Sequence, residues 1–175
     1  MQIKVYNPSN LTQNQIDKNV TRVKAIIMNS DNEILVCHTN DNYSFIGGHV
    51  ENNESLNDAL NRELKEETGL NIDAYNIQPF FKIEKMNYNH YNTNMNCLSE
   101  IYYYLIYTDS KYSAKKMKLD DSEIAKNFQL EYINIEAFIN YLYQNHDNGL
   151  YLEMLEVLDY YMQNLYRGMT YEKRI

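Results

Sequence analysis

Residues 45–70 read FIGGHVENNESLNDALNRELKEETGL, a glycine pair followed by one strongly helical segment. Ser55 with Asp58 three residues later resembles a capping box, and Leu56, Ala59, Leu60 and Leu64 keep helical spacing. The pattern predicts a helix from Ser55 to Thr68, with Gly69 as its C′ stop. Its charges are badly placed for a helix. Glu63, Glu66 and Glu67 crowd the last two turns, where the carbonyl end favours cations and each carboxylate costs roughly 0.3–1 kcal/mol. Spacings of three and four also set Glu63 beside both Glu66 and Glu67, so the three repel one another.

Their facing is equally unusual. At about 100° per residue, Glu67 falls near the middle of the arc defined by the apolar residues, with Glu63 on the same side and Glu66 flanking it. Carboxylates turned towards the body of a protein need compensation, because an unpaired buried charge is expensive. Arg or Lys neighbours, raised pKa values or a bound divalent cation could each supply it. Arg62 and Lys65 are almost the only cations close in sequence, which favours the metal. A rule broken at several levels at once marks a functional site.

Outward from this helix, Val20 to Met28 reads as a strand, the turn Asn29 to Asn32 follows, and Glu33 to His38 is its hairpin partner. Two further strands are predicted at Ile77 to Met86 and Leu98 to Thr108, joined by an Asn-rich loop, with another near Phe128 to Ile135. Helices are predicted at Glu136 to Gln144 and at Leu150 to Leu165, the latter with Leu155, Leu158, Met162 and Leu165 on its stripe. Strands interleaved with helices predict an α/β (α+β) fold, a mixed sheet covered on both faces.

The whole chain has 175 residues, enough for one domain without staples. Its formal charge of −8 argues against a broad surface for long nucleic acid, which rests on neutralising many phosphates. A small phosphorylated ligand is still compatible, since one bound cation reverses the local field. The two cysteines, Cys37 and Cys97, form neither a zinc knuckle nor a disulfide framework. With no signal-peptide pattern and no apolar run approaching a membrane span, a cytoplasmic location is expected. The Tyr, Asn and Lys bias matches AT-rich codons, so clusters such as Tyr102-Tyr103-Tyr104 read as composition rather than a stacking platform.

From Gly48 there are five residues to Glu54, seven more to Arg62, and then Glu63-Leu64-Lys65-Glu66-Glu67-Thr68-Gly69-Leu70. This resembles the box of the Nudix hydrolases, with every specified position filled. At frequencies on the order of one in fifteen per fixed position, chance is a negligible explanation. One departure is Ile46, where Pro is usual before the two glycines. The resemblance spans roughly residues 20 to 140 and implies an α/β/α sandwich with a mixed sheet. It also implies that Glu63, Glu67 and the carbonyl of Gly47 ligate Mg²⁺ or Mn²⁺, with Glu66 as a further or water-mediated ligand. Glu66 and Glu67 would then serve catalysis, Arg62 would orient the neighbouring glutamates, and Gly48, Glu54 and Gly69 would support the loop and helix.

The general base is open. Family members often draw an acid from the loop before the last core strand, here Asp120-Asp121-Ser122-Glu123, which makes Glu123 the candidate beside Glu66, with Glu100 behind both. His38 and His49 are weak substrate-binding candidates, and Lys115, Lys116 and Lys118 form a modest basic run. The expected reaction is metal-dependent cleavage of a phosphoanhydride in a nucleoside diphosphate linked to another moiety. ADP-ribose-like compounds, nucleoside triphosphates and dinucleoside polyphosphates all fit. Two rivals are a non-catalytic nucleotide-binding regulator, disfavoured by the intact box, and an RNA 5′-end pyrophosphohydrolase, disfavoured by the charge. Residues 1–145 are expected to form the catalytic domain and 146–175 a helical extension, packed on that domain or forming a homodimer interface.

Overall fold

The computed structural model describes residues 1–40, 42–73 and 77–166. Seven strands form one mixed sheet: β1 (Gln2–Tyr6), β2 (Lys18–Met28), β3 (Glu33–Thr39), β4 (Asn42–Ser44), β5 (Phe81–Asn87), β6 (Cys97–Tyr107) and β7 (Gln129–Asn134). Their order is β1-β5-β6-β2-β3-β4, with β7 pairing the other side of β3. The long ladders β2–β6 and β1–β5 are parallel; β2–β3, β3–β4, β3–β7 and β5–β6 are antiparallel. Four helices accompany it: α1 (Leu56–Thr68), the short α2 (Asp121–Ala125), α3 (Ile135–Gln144) and α4 (Gly149–Tyr161), which runs on into a π-helical turn over Met162–Tyr166.

The alternation along β2 explains the layers. Val23, Ala25 and Ile27 pack with Ala59, Leu60 and Leu64 of α1 on one face of the sheet. Ile26 and Met28 pack with Phe138 and Leu142 of α3 and Leu155 and Leu158 of α4 on the other. A strand covered on both faces reads as a continuous apolar run, which is why Ala25 to Met28 carries no polar residue. Burying each such Leu or Ile stabilises the fold by about 1.5–3 kcal/mol. This is the α/β/α sandwich expected. The stripe of α4 lies in the same core as Phe81, Ile83 and Tyr103 of the sheet, so it is covered by this chain's own strands. Residues 167–175 of the expected extension lie outside the described ones.

Three differences from the expected elements have physical causes. The strand expected from Ile77 begins only at Phe81, because Pro79 has no N–H to give a ladder. Strand β1 was not expected; Gln2-Ile3-Lys4-Val5 alternates polar and apolar residues over only a short run, and all five residues of the strand are exposed. Helix α2 lies inside the expected loop, started by the reciprocal bonds of Asp120 and Glu123.

Candidate active site

The end of α1 and the glycine pair meet on the edge of β2. Residues 46–50 run alongside that strand: Ala25 N donates to Ile46 O at 2.8 Å, Val23 N to Gly48 O at 3.0 Å and Val50 N to Thr21 O at 2.9 Å. Gly47 has φ +121°, and a Cβ there would strike the Val23 carbonyl, so the turn admits no other residue without strain. Ser55 Oγ accepts from Asp58 N at 3.1 Å at the start of α1. At its other end Gly69 adopts φ +68° and its N–H donates to Lys65 O at 3.0 Å. The loop after β6 completes this terminus, with Ser113 N donating to Thr68 O and Lys118 N to Glu66 O. The carbonyls of Lys65, Glu66 and Thr68 are thus satisfied by backbone N–H groups, a role that the acceptor-only glutamate carboxylates could not fill.

Those side chains divide into two kinds. Glu63 and Glu67 are buried, at 9% and 6% exposure, whereas Glu66 is partly exposed beside them. Glu67 Oε2 accepts from Gly47 N at 2.5 Å. Burial pushes the Glu67 carboxyl up to about 8, against the pull of Lys24 and of the Gly47 amide. Burial also raises Glu63, opposed by Arg62 and then Lys24. Glu63 lies against the bare face of Gly48, where a Cβ would come within 2.5 Å of its Oε1.

Arg62 is the organiser. Its Nε and Nη2 grip the two oxygens of Glu54 at 2.8 and 3.0 Å. Nη1 reaches Glu63 at 2.8 Å and Glu66 at 3.3 Å, and Nη2 also reaches the carbonyl of His49 at 2.9 Å. With its donors engaged it holds glutamates in place rather than meeting a substrate. Glu54 in turn accepts from Glu51 N, and the Arg62 guanidinium keeps its carboxyl below the usual range.

The expected shortage of cations needs correcting. Lys24, on β2, extends its ammonium to the carbonyls of Phe45 (2.9 Å) and Gly47. It opens with Arg22, His49 and Lys85 onto a cavity of about 820 Å³ beside the glycine pair. Arg22 donates to Ser99 Oγ at 3.0 Å. Lys85 pairs at 2.5 Å with Glu153 of α4, whose other oxygen accepts from the buried Tyr103 hydroxyl at 2.6 Å. His49 is exposed, and the desolvation of its ring, with Arg22 and Lys24 nearby, lowers its pKa. Lys24 and Arg22 lie just over thirty residues before α1, and the register of β2 shows which face they share.

Of the remaining candidates, Glu123 accepts from Asp120 N at 2.7 Å in the α2 cap and lies near enough to Glu67 to raise its pKa slightly. His38, on β3, meets the Tyr43 ring at 4.8 Å in a tilted contact and does not line the cavity. Glu100 is engaged by Lys82 at 2.6 Å. Among the described residues no three His, Cys, Asp or Glu side chains are gathered closely enough to hold a metal; Arg62 Nη1 bridges Glu63 and Glu66. The donor chemistry still fits a hard divalent cation: two buried carboxylates lie against the glycine pair, and among the described residues Arg62 and Lys24 are the cations that offset their burial.

The model of the NUDIX domain matches residues 18–152. The chain belongs to the Nudix family. With its box intact it is a Nudix hydrolase. No curated protein matches it by sequence. Among solved structures, the fold is similar to a MutT from a study of the Aliivibrio salmonicida and Vibrio cholerae proteins, at 22% identity and TM-score 0.50, covering 78% of this chain and 96% of that one. It is also similar to the Ap4A hydrolase of Caenorhabditis elegans (C. elegans), at 15% identity and TM-score 0.51, covering 83% and 98%. At these identities the likeness is one of fold. The Nudix match itself runs into α4, past the boundary expected at residue 145. Among the described residues no helix is long and apolar enough to cross a membrane.

Proposed function

We propose that this Nudix hydrolase cleaves a phosphoanhydride bond in a small nucleotide, a nucleoside diphosphate linked to a further group, with the help of Mg²⁺ or Mn²⁺. The observation that carries the reading is the pairing of two opposite environments across one glycine turn. On one side stand the buried carboxylates of Glu63 and Glu67; on the other, a cavity whose wall carries Arg22, Lys24 and Lys85 in a chain of net charge −8. Local positive charge in an acidic protein suits a short phosphate chain and not a long nucleic acid.

Glu63, Glu67 and the Gly47 carbonyl would hold the cation, with Glu66 reaching it directly or through water. A divalent ion there supplies charge to the phosphoryl oxygens and makes a nearby water more acidic. This chain's own residues do the rest. Arg62 fixes the direction of Glu63 and Glu66, and Glu54 fixes Arg62. Arg22 and Lys24 meet the phosphates, stabilising charge as it develops on them. Glu66 or Glu123 takes the proton of the attacking water. A cavity of about 820 Å³ is in the size range of small-molecule sites, and ADP-ribose-like compounds, nucleoside triphosphates and dinucleoside polyphosphates are the candidate substrate classes.

The test is a panel of those three substrate classes, assayed for nucleoside monophosphate and phosphate release with Mg²⁺, with Mn²⁺ and in excess chelator. Turnover of at least one class, abolished by chelator, is expected. No turnover of any diphosphate compound with either metal would overturn the proposal in favour of a binding-only role.

A further inference from the structure

Strand β2 places Lys24 on the cavity side of the sheet because Val23 and Ala25, its neighbours, are turned to α1. From there the ammonium donates to the Phe45 carbonyl at 2.9 Å and to that of Gly47. It is also the cation that most offsets the burial of Glu67, and it acts on Glu63 as well. One lysine therefore occupies the carbonyl assigned above to the divalent ion and lies within electrostatic reach of the two carboxylates. A divalent ion on that carbonyl would be repelled by the ammonium already donating to it, since like charges at such range repel strongly in a partly buried setting.

We infer that Lys24 is the resident counter-cation of the site, displaced from the Gly47 carbonyl by the divalent ion and then presented to the phosphates of the substrate. The inference rests on the metal-site reading and adds an exchange to it. With the divalent ion absent, the Lys24 ammonium occupies the Gly47 carbonyl, partly offsets the burial of Glu63 and Glu67, and keeps the glycine turn in place. Once the ion takes the carbonyl, the long flexible stem lets the ammonium swing into the cavity it already borders, beside Arg22. Cation binding is thereby opposed in the free protein, and the opposing charge becomes a phosphate contact in the complex.

A purely structural lysine would behave in the opposite way. If Lys24 only stapled residues 45–47, its removal would loosen the turn and weaken cation binding. As a counter-cation, its removal strengthens cation binding while harming catalysis. Calorimetric titration of the substrate-free full chain with Mn²⁺ separates the two. Lys24→Met keeps the length without the charge and is expected to bind Mn²⁺ about tenfold tighter or more than the parent, with kcat/KM for the turned-over nucleotide lowered at least tenfold. Equal or weaker Mn²⁺ binding by a folded Lys24→Met protein overturns the inference. Glu67→Gln is titrated in parallel: if it binds Mn²⁺ as the parent does, the metal-site reading itself fails. If it loses binding while Lys24→Met gains none, only the role of Lys24 fails. A second measurement needs no variant. The Lys24 side-chain ¹⁵N–¹H resonance of the parent is expected to shift on addition of Mg²⁺, and an unmoved resonance at saturating Mg²⁺ overturns the exchange.

Discussion

The amide of Gly47 donates to Glu67 Oε2 at 2.5 Å, so the last turn of α1 and the glycine turn on β2 are joined by one buried contact. That contact explains how a carboxylate at the wrong end of a helix is tolerated. It does not remove the cost, because burial still pushes the Glu67 carboxyl up to about 8.

The cost should appear in stability against pH. A carboxyl near 4.5 in the unfolded chain and about 8 in the folded one gives stability that is full below pH 4.5 and is lost as pH rises through 8. Glu67→Gln removes that loss and can still accept from Gly47 N. Without metal, the variant should melt close to the parent near pH 4.5 and a few degrees above it near pH 8.5. With Mg²⁺ or Mn²⁺ the parent should gain melting temperature by mass action, and the variant should largely lose that gain. A variant melting clearly below the metal-free parent at pH 8.5 would point to a structural ion pair instead.

Hydrolysis should require a divalent cation and should rise towards mildly alkaline pH, where the attacking water is more easily ionised. Rate–pH profiles at saturating Mg²⁺ check this, and full activity in excess chelator would contradict it.

Arg62 joins Glu54, Glu63, Glu66 and the His49 carbonyl through one guanidinium. Arg62→Ala leaves those acceptors without their donor and should cost about 2–3 kcal/mol of stability, a value discounted for the partial exposure of the group. Arg62→Lys keeps the charge and loses the fork, so it should restore only part of it. Chemical unfolding of the three proteins gives the comparison; equal stability would show that the network contributes nothing.

Glu123 tests the identity of the base. Its carboxylate is engaged by Asp120 N in the α2 cap, yet it lies within electrostatic reach of Glu67. If it accepts the proton of water, Glu123→Gln should lower kcat by about 10²-fold or more with little change in KM, because the role is expressed in the transition state. An unchanged kcat returns that role to Glu66 or to another residue.

Much of this was legible in the sequence because it is local. Helix α1, its caps and the inward facing of Glu63 and Glu67 follow from spacings of three and four within fourteen residues. The fork of Arg62 on Glu54 spans eight positions, within reach of the same helix and its preceding loop. What escaped depends on the register of distant strands. Lys24 reaches Gly47 only because residues 46–50 align along β2, and Glu153 meets Lys85 only because α4 crosses β5. The tie between Glu153 and Tyr103 is likewise non-local. Its loss in Glu153→Ala should cost about 1–3 kcal/mol through an unpaired buried hydroxyl and should raise KM by freeing the cavity wall. Thermal melts and steady-state kinetics check both effects.

The location of the cation is the most direct measurement. Crystals of the full chain grown with Mn²⁺ and examined by anomalous diffraction should show a peak among the Glu63 and Glu67 carboxylates and the Gly47 carbonyl, and none there for Glu67→Gln. A parent that hydrolyses its substrate with Mn²⁺ yet shows no peak at those oxygens, or shows its peak elsewhere, would contradict the assignment of the site.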